Sequence, residues 1–245
     1  MTALDCWSRS TFTDNKRSYP TFRQGNGPGV IVIHEMPGLT TKVAAFGQRV
    51  VDEGFTVVMP SLFGTPGLPV SNRYLAGSLV KGCVSREFSG LALRRTPPVT
   101  SWLRALARSL HLELGGAGVG AVGMCFTGGF ALGMMLDEHT VAPVLSQPSA
   151  PILPFPKYRA ALNLSPADLS AVRARASSGC DVLGLRYLGD AFVGTRFDTL
   201  RRELGERVIA VEFLSLSKTD HSVLTEHPQA EGISRVLAFF HEKLR

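Results

Sequence analysis

The sequence predicts an α/β fold: a mainly parallel central sheet flanked by helices, with antiparallel strands at its N-terminal edge. Two patterns point to it. Short apolar runs alternate with longer amphipathic stretches, and the runs are continuously hydrophobic, as strands covered on both faces require. Size is the third observation: at 245 residues, 44% hydrophobic and 19% charged, the chain can bury one substantial core, and a single domain over 1–245 is expected.

Residues 11–22 read as the edge hairpin, turned near Asp14-Asn15. Buried strands are expected at 30–33, 55–59, 119–124, 141–145, 182–187 and 208–213, where β-branched residues concentrate. Helices are expected at 42–53, 100–114, 128–138, 167–176, 196–204 and 229–243. Thr100-Ser101 offers hydroxyl caps just after Pro97-Pro98, and Ser165-Pro166 places a capping hydroxyl before a proline at the first helical position. In the last helix Ile233, Val236, Leu237 and Phe240 fall at three- and four-residue spacing, one apolar stripe for the sheet. The proline-dense stretch 148–156 reads as a loop over the sheet edge, because the same pattern continues on both sides of it.

Composition narrows the function class. The net charge of +6 and pI near 9.4 come from basic residues spread along the chain, with no stripe of interleaved aromatics, so nucleic acid is not an expected partner. The longest aliphatic run, Val30-Ile31-Val32-Ile33, is far too short to span a bilayer, and the amino terminus lacks the basic start and apolar stretch of a secretory signal. A soluble, cytoplasmic protein without a membrane partner is expected. Cys6, Cys83, Cys125 and Cys180 are widely spread with no CxxC pair, so reduced thiols are expected, with no metal site and no cofactor.

The most informative stretch is Ala121-Val122-Gly123-Met124-Cys125-Phe126-Thr127-Gly128-Gly129. An apolar strand runs into small residues around one thiol and then into a helix, which is the nucleophile elbow of an α/β-hydrolase with cysteine in place of serine. The small neighbours let strand and helix approach, and the helix start favours a thiolate. Thr127 stands where glycine is usual and reads as a tolerated variant. Taken alone, Cys125 reads equally well as a buried small hydrophobe. Gly118-Val119-Gly120-Ala121-Val122-Gly123 also matches GxGxxG, but its glycines fall within the strand instead of between strand and helix, which argues against a dinucleotide site.

An elbow nucleophile needs an acid and then a histidine further along the chain, each on a loop after a strand. Asp190 follows the run 182–187 through Leu188-Gly189, and His221 follows the run 208–213 through a polar loop. His221 would take the thiol proton and Asp190 would fix its tautomer. A turn aspartate and a solvated loop histidine are the bland alternatives. Asp220 and Asp198 are weaker candidates for the acid, and His111, His139, His227 and His241 read as surface residues. Glu35 directly follows the strand Val30 to His34, where an unpaired acid is costly. The same loop, through the Met36 N–H, and the residue after the nucleophile, through the Phe126 N–H, are candidate oxyanion-hole donors.

Together, Val30-Ile31-Val32-Ile33-His34-Glu35, Gly123-Met124-Cys125-Phe126-Thr127-Gly128-Gly129, Gly189-Asp190 and His221-Ser222 resemble the dienelactone hydrolase family, from about Thr11 to the C-terminus. The resemblance implies an α/β-hydrolase fold in which Cys125, Asp190, His221 and Glu35 open a small lactone or ester through a thioester. It implies that Glu35 helps deprotonate the thiol when substrate binds. Well-known members hold a substrate carboxylate with arginines, one just after the catalytic histidine. Here His221 is followed by Ser222-Val223-Leu224-Thr225-Glu226, and Arg86 is the remaining candidate for substrate binding. A general ester or lactone is therefore expected as substrate, with a monomer or homodimer as the assembly. The competing reading is a non-catalytic relative acting in ligand binding or thiol redox sensing.

Overall fold

The N-terminal hairpin joins β1 (Ser8–Asp14) to β2 (Arg17–Gln24) through Asn15 and Lys16, both left-handed at φ 43° and 68°. A two-residue turn of that hand matches the twist of the strands it joins. The computed structural model describes residues 3–71, 74, 78, 87–88, 94–149 and 156–245. Strands β3 (Gly29–Ile33), β4 (Thr56–Pro60), β5 (Val119–Met124), β6 (Thr140–Ser146), β7 (Val182–Tyr187) and β8 (Val208–Phe213) complete an eight-stranded sheet of order β1-β2-β4-β3-β5-β6-β7-β8. The β1–β2 and β2–β4 pairings are antiparallel, and every pairing from β4 to β8 is parallel.

Parallel pairing puts the carboxyl ends of six strands on one side of the sheet. The strand order reverses between β3 and β5, and at such a switch point the loops diverge to leave a crevice. Cys125 follows β5 there, with Glu35 after β3 as its neighbour.

The helices are α1 (Thr41–Asp52), α2 (Val99–Leu114), α3 (Gly128–Met134), α4 (Pro156–Arg159), α5 (Pro166–Ser177), α6 (Arg196–Leu204) and α7 (Ala230–Leu244). Alternation along β3 divides the core: Val30 and Val32 pack with α1 and α7, whereas Ile31 and Ile33 pack with α2 and α3. A third cluster joins Leu145 of β6 and Val182 of β7 to Val172 of α5 and Phe197 of α6.

Six expected strands and six expected helices form, with four local departures. Helix α3 stops at Met134 instead of 138, because Asp137 turns the chain into β6 by accepting the His139 N–H at 3.1 Å. Thr100 is no cap: Pro98 occupies that position, and Thr100 is fully buried with its methyl under Gly133. Ser165 does cap α5, accepting from the Asp168 N–H at 3.1 Å. The short helix α4 closes a stretch expected to be loop. The four histidines expected at the surface are each half-buried. The GxGxxG glycines lie in and just before β5, where Gly120 admits the ring of Phe240; a Cβ there would come within 2.8 Å of it.

Phe240 is fully buried and edge-on to Phe55. Phe240→Ala is expected to lower unfolding free energy by about 3–5 kcal/mol in urea denaturation, and a loss under about 1 kcal/mol contradicts this packing.

Candidate active site

Cys125 has φ 53°, a left-handed conformation that a non-glycine side chain adopts only when its surroundings enforce it. The enforcement is local. The Thr127 hydroxyl accepts the Met124 N–H at 2.9 Å and lies 3.0 Å from the Met124 carbonyl and 3.2 Å from that of Ile33, so it ties the elbow to itself and to β3. Thr127 is thus a working part of the turn, beyond the tolerated small residue expected from sequence. A Cβ on Gly123 would collide with the Thr127 carbonyl, and one on Gly128 would lie 2.7 Å from Pro148. Glycine is required at both.

Asp190 and His221 come together after β7 and β8. Asp190 Oδ2 is 2.6 Å from His221 Nδ1, while Oδ1 accepts the N–H groups of Phe192 and Val193 at 2.9 and 3.4 Å. The Asp190 side chain is only 2% exposed, so its charge stays close to the imidazole. With Nδ1 donating to the carboxylate, Nε2 is the nitrogen free to take a proton; it is buried and makes no hydrogen bond among the described residues. Burial alone would depress the His221 imidazolium. The charge of Cys125 and the Asp190 hydrogen bond outweigh burial and raise it well above its ordinary 6.5. The alternative acids stand elsewhere: Asp220 accepts the N–H groups of Leu216 and Ser217 at 2.8 and 2.9 Å, and Asp198 is exposed on α6. His227 accepts the His221 N–H at 3.3 Å and so steadies the loop.

Glu35 is 4% exposed and bonded to neutral groups. Its carboxylate accepts from Ser222 Oγ at 2.7 Å, from Gln147 Nε2 at 3.0 Å and from Thr225 Oγ1. Burial pushes its carboxyl above the ordinary value, against the pull of these donors. Gln147 also accepts the Val223 N–H at 3.3 Å, so Glu35 and Gln147 together clamp the loop carrying His221 to β3 and β6. Met36 and Phe126 lie in one core cluster, against which Cys125 packs. Arg86 lies outside the described residues.

Sequence reasoning missed Arg196. It is 3% exposed, and its guanidinium donates to the carbonyls of Ala161 (2.9 Å), Phe192 (2.9 Å), Val193 (2.8 Å) and Tyr158. It therefore braces the turn that presents Asp190. Burial lowers this group to about 10, opposed by the charges of Cys125 and Asp190. Its position six residues after Asp190 carried no signal, since a first-turn arginine usually faces solvent.

Residues 18–236 match the profile of the Dienelactone hydrolase family. The chain belongs to the dienelactone hydrolase family. This family member is 23% identical over 237 residues to a Saccharomyces cerevisiae (strain ATCC 204508 / S288c) protein named "Putative carboxymethylenebutenolidase", a match covering 88% of this chain and 82% of the yeast one. Among solved structures it is similar to a dienelactone hydrolase-like promiscuous phosphotriesterase from metagenomic libraries, with TM-score 0.66, 17% identity and 98% of both chains covered. It is also similar to a cold-adapted esterase from an Arctic intertidal metagenomic library, with TM-score 0.65, 14% identity and full coverage of both. At such identities these structures speak for the α/β-hydrolase fold; membership of the family makes the chain a hydrolase.

Two outcomes follow for this family member. Gly123→Ala is expected to cost about 3 kcal/mol or more, because backbone has to move; a melting temperature within a degree of wild type contradicts the elbow geometry. His34 is fully buried, lies 3.0 Å from the Glu35 carbonyl through Nδ1, and accepts the Leu62 N–H through Nε2 at 3.0 Å; burial lowers it to about 4. A depressed folded value means stability present above the unfolded 6.5 and lost as pH falls toward 4. Between pH 7 and pH 5 the group removes about 2 kcal/mol. In urea titrations His34→Asn should lose less than wild type over that interval, and an equal loss contradicts the assignment.

Proposed function

We propose that this protein hydrolyses small carboxylic esters or lactones through Cys125, His221 and Asp190 by way of a thioester. The observation that carries the reading is the 2.6 Å Asp190–His221 contact, which leaves the imidazole Nε2 to a cysteine held at the tip of a strained elbow. The Cys125 proton passes to His221 Nε2, giving a thiolate–imidazolium pair. The sulfur attacks the carbonyl carbon, and the developing oxyanion is met by the N–H groups of Phe126 and Met36. Collapse breaks the acyl–oxygen bond, and the leaving alkoxide takes the proton from His221. Water then gives a proton to the same nitrogen, attacks the thioester and expels the thiolate.

Apolar and charged side chains both border the site. A groove of about 290 Å³ beside Asp190 is lined by Leu188 and Leu216 together with Ser215, Ser217, Lys218 and Asp220, and the ring of Phe192 lies against His221 at 5.2 Å. Leu188, Phe192 and Leu216 are 39%, 46% and 95% exposed, apolar contacts for an acyl or alkyl group beside a polar rim. Arg196, bound to four carbonyls, is engaged in holding the acid turn. Glu35 acts here as a positioning residue for the His221 loop.

With short-chain chromogenic esters and simple lactones, Cys125→Ala is expected to abolish turnover and Cys125→Ser to reduce kcat/KM by about a hundredfold or more. Undiminished turnover in Cys125→Ala contradicts the reading. Asp190→Asn should lower kcat by at least about a hundredfold. It also removes one of the interactions that raise His221, so the alkaline limb of the pH–rate profile should move to lower pH. An unchanged profile would show that Asp190 does not set the imidazole.

A further inference from the structure

The sulfur of Cys125 has a close partner outside the three residues just discussed. Ser149 Oγ lies 3.0 Å from Cys125 Sγ, and the Ser149 N–H donates to the Cys125 carbonyl at 3.0 Å. Ser149 is buried, at 5% exposure. Backbone delivers it there. The chain leaves β6 through Gln147, left-handed at φ 36°, whose N–H donates to the Leu185 carbonyl at 2.7 Å, and Pro148 then lies over Gly128 with no room for a side chain between them. The segment therefore folds back onto the elbow and presents a hydroxyl to the sulfur.

Other groups near the thiol are committed elsewhere. The Glu35 oxygens are taken by Ser222, Thr225 and Gln147, Asp190 is spent on His221 and its own turn, and four N–H groups of Arg196 go to carbonyls.

We propose that Ser149 is a fourth catalytic residue, whose O–H donates a hydrogen bond to the Cys125 thiolate and fixes the sulfur between His221 and the substrate carbonyl. The proposal rests on Cys125 being the nucleophile. Ser149 keeps its own proton throughout: the thiol proton goes to His221 Nε2, and the Ser149 O–H turns to the sulfur lone pair left behind. When the sulfur–carbon bond of the thioester forms, the sulfur loses its charge and this hydrogen bond weakens. It re-forms as water expels the sulfur, so Ser149 also stabilises the leaving group of deacylation. Hydrogen bonds to an ionised partner are about twice as strong as neutral ones, which makes a single hydroxyl consequential here.

The test follows alkylation of Cys125 by iodoacetamide across pH, read on the Cys125 peptide by mass spectrometry so that Cys6, Cys83 and Cys180 do not interfere. Among the described residues, His221, Asp190 and Arg196 are the charged or titratable groups that act on the sulfur, with Glu35 behind the His221 loop, and all remain in every variant. Ser149→Ala keeps the backbone N–H that donates to Cys125. It is expected to move the profile to higher pH, to slow alkylation at neutral pH about tenfold, and to slow deacylation in single-turnover assays. Ser149→Thr restores the hydroxyl and should return the wild-type profile. A Ser149→Ala profile superposing on wild type overturns the proposal; so do equal shifts in Ala and Thr, which would assign the effect to side-chain volume. Should Cys125→Ala retain turnover, the nucleophile reading itself falls, whereas an inactive Cys125→Ala beside an unshifted Ser149→Ala removes only the role of Ser149.

Discussion

The left-handed backbone at Cys125 is the constraint on which the rest of the site depends. Such a conformation costs on the order of 1–3 kcal/mol and persists only where neighbours over-determine it. Here they do: β5 is paired on both sides, by β3 and β6, the Thr127 hydroxyl bridges the elbow to β3, and Pro148 closes against Gly128. Two glycines give the chain room to turn. The strain places a side chain at the crevice where the strand order reverses, beside the loops that follow β3, β6, β7 and β8.

Charge in the site is arranged by those loops. Asp190 is saturated by backbone donors and one imidazole, and Arg196 braces the same turn from behind. Glu35, which the family resemblance links to deprotonation of the thiol, is bonded here to the loop that bears His221. To reach the sulfur it has to leave two hydroxyls and one amide, each bond to an ionised partner worth about 1.5–3 kcal/mol. The geometry thus favours Glu35 as a clamp on the histidine, and it brings Ser149 to the sulfur in its place.

What was legible in the sequence is what depends on near neighbours. The β-branched runs gave the strands within a residue or two, Ser165-Pro166 marked the start of α5, and Gly123 through Gly129 marked the elbow. Expectations failed where a distant residue intervenes: Thr100 packs under Gly133 instead of capping, and Asp137 ends α3 early. The support of the site was illegible for the same reason. Glu35 meets Ser222 and Thr225 across 187 and 190 positions, and Thr127 meets Ile33 across 94, contacts set by strand order and not by local pattern. Arg196 looked like an ordinary helix-start cation until the turn it braces was in view.

The central claim is that one sulfur carries the acyl group. Rapid acid quench of the enzyme during turnover of a slow ester, followed by proteolysis and mass spectrometry, reads it directly. The account predicts an acyl mass on the peptide containing Cys125, released by hydroxylamine. Acylation of a different residue, or turnover with the Cys125 peptide unmodified at every quench time, would contradict it.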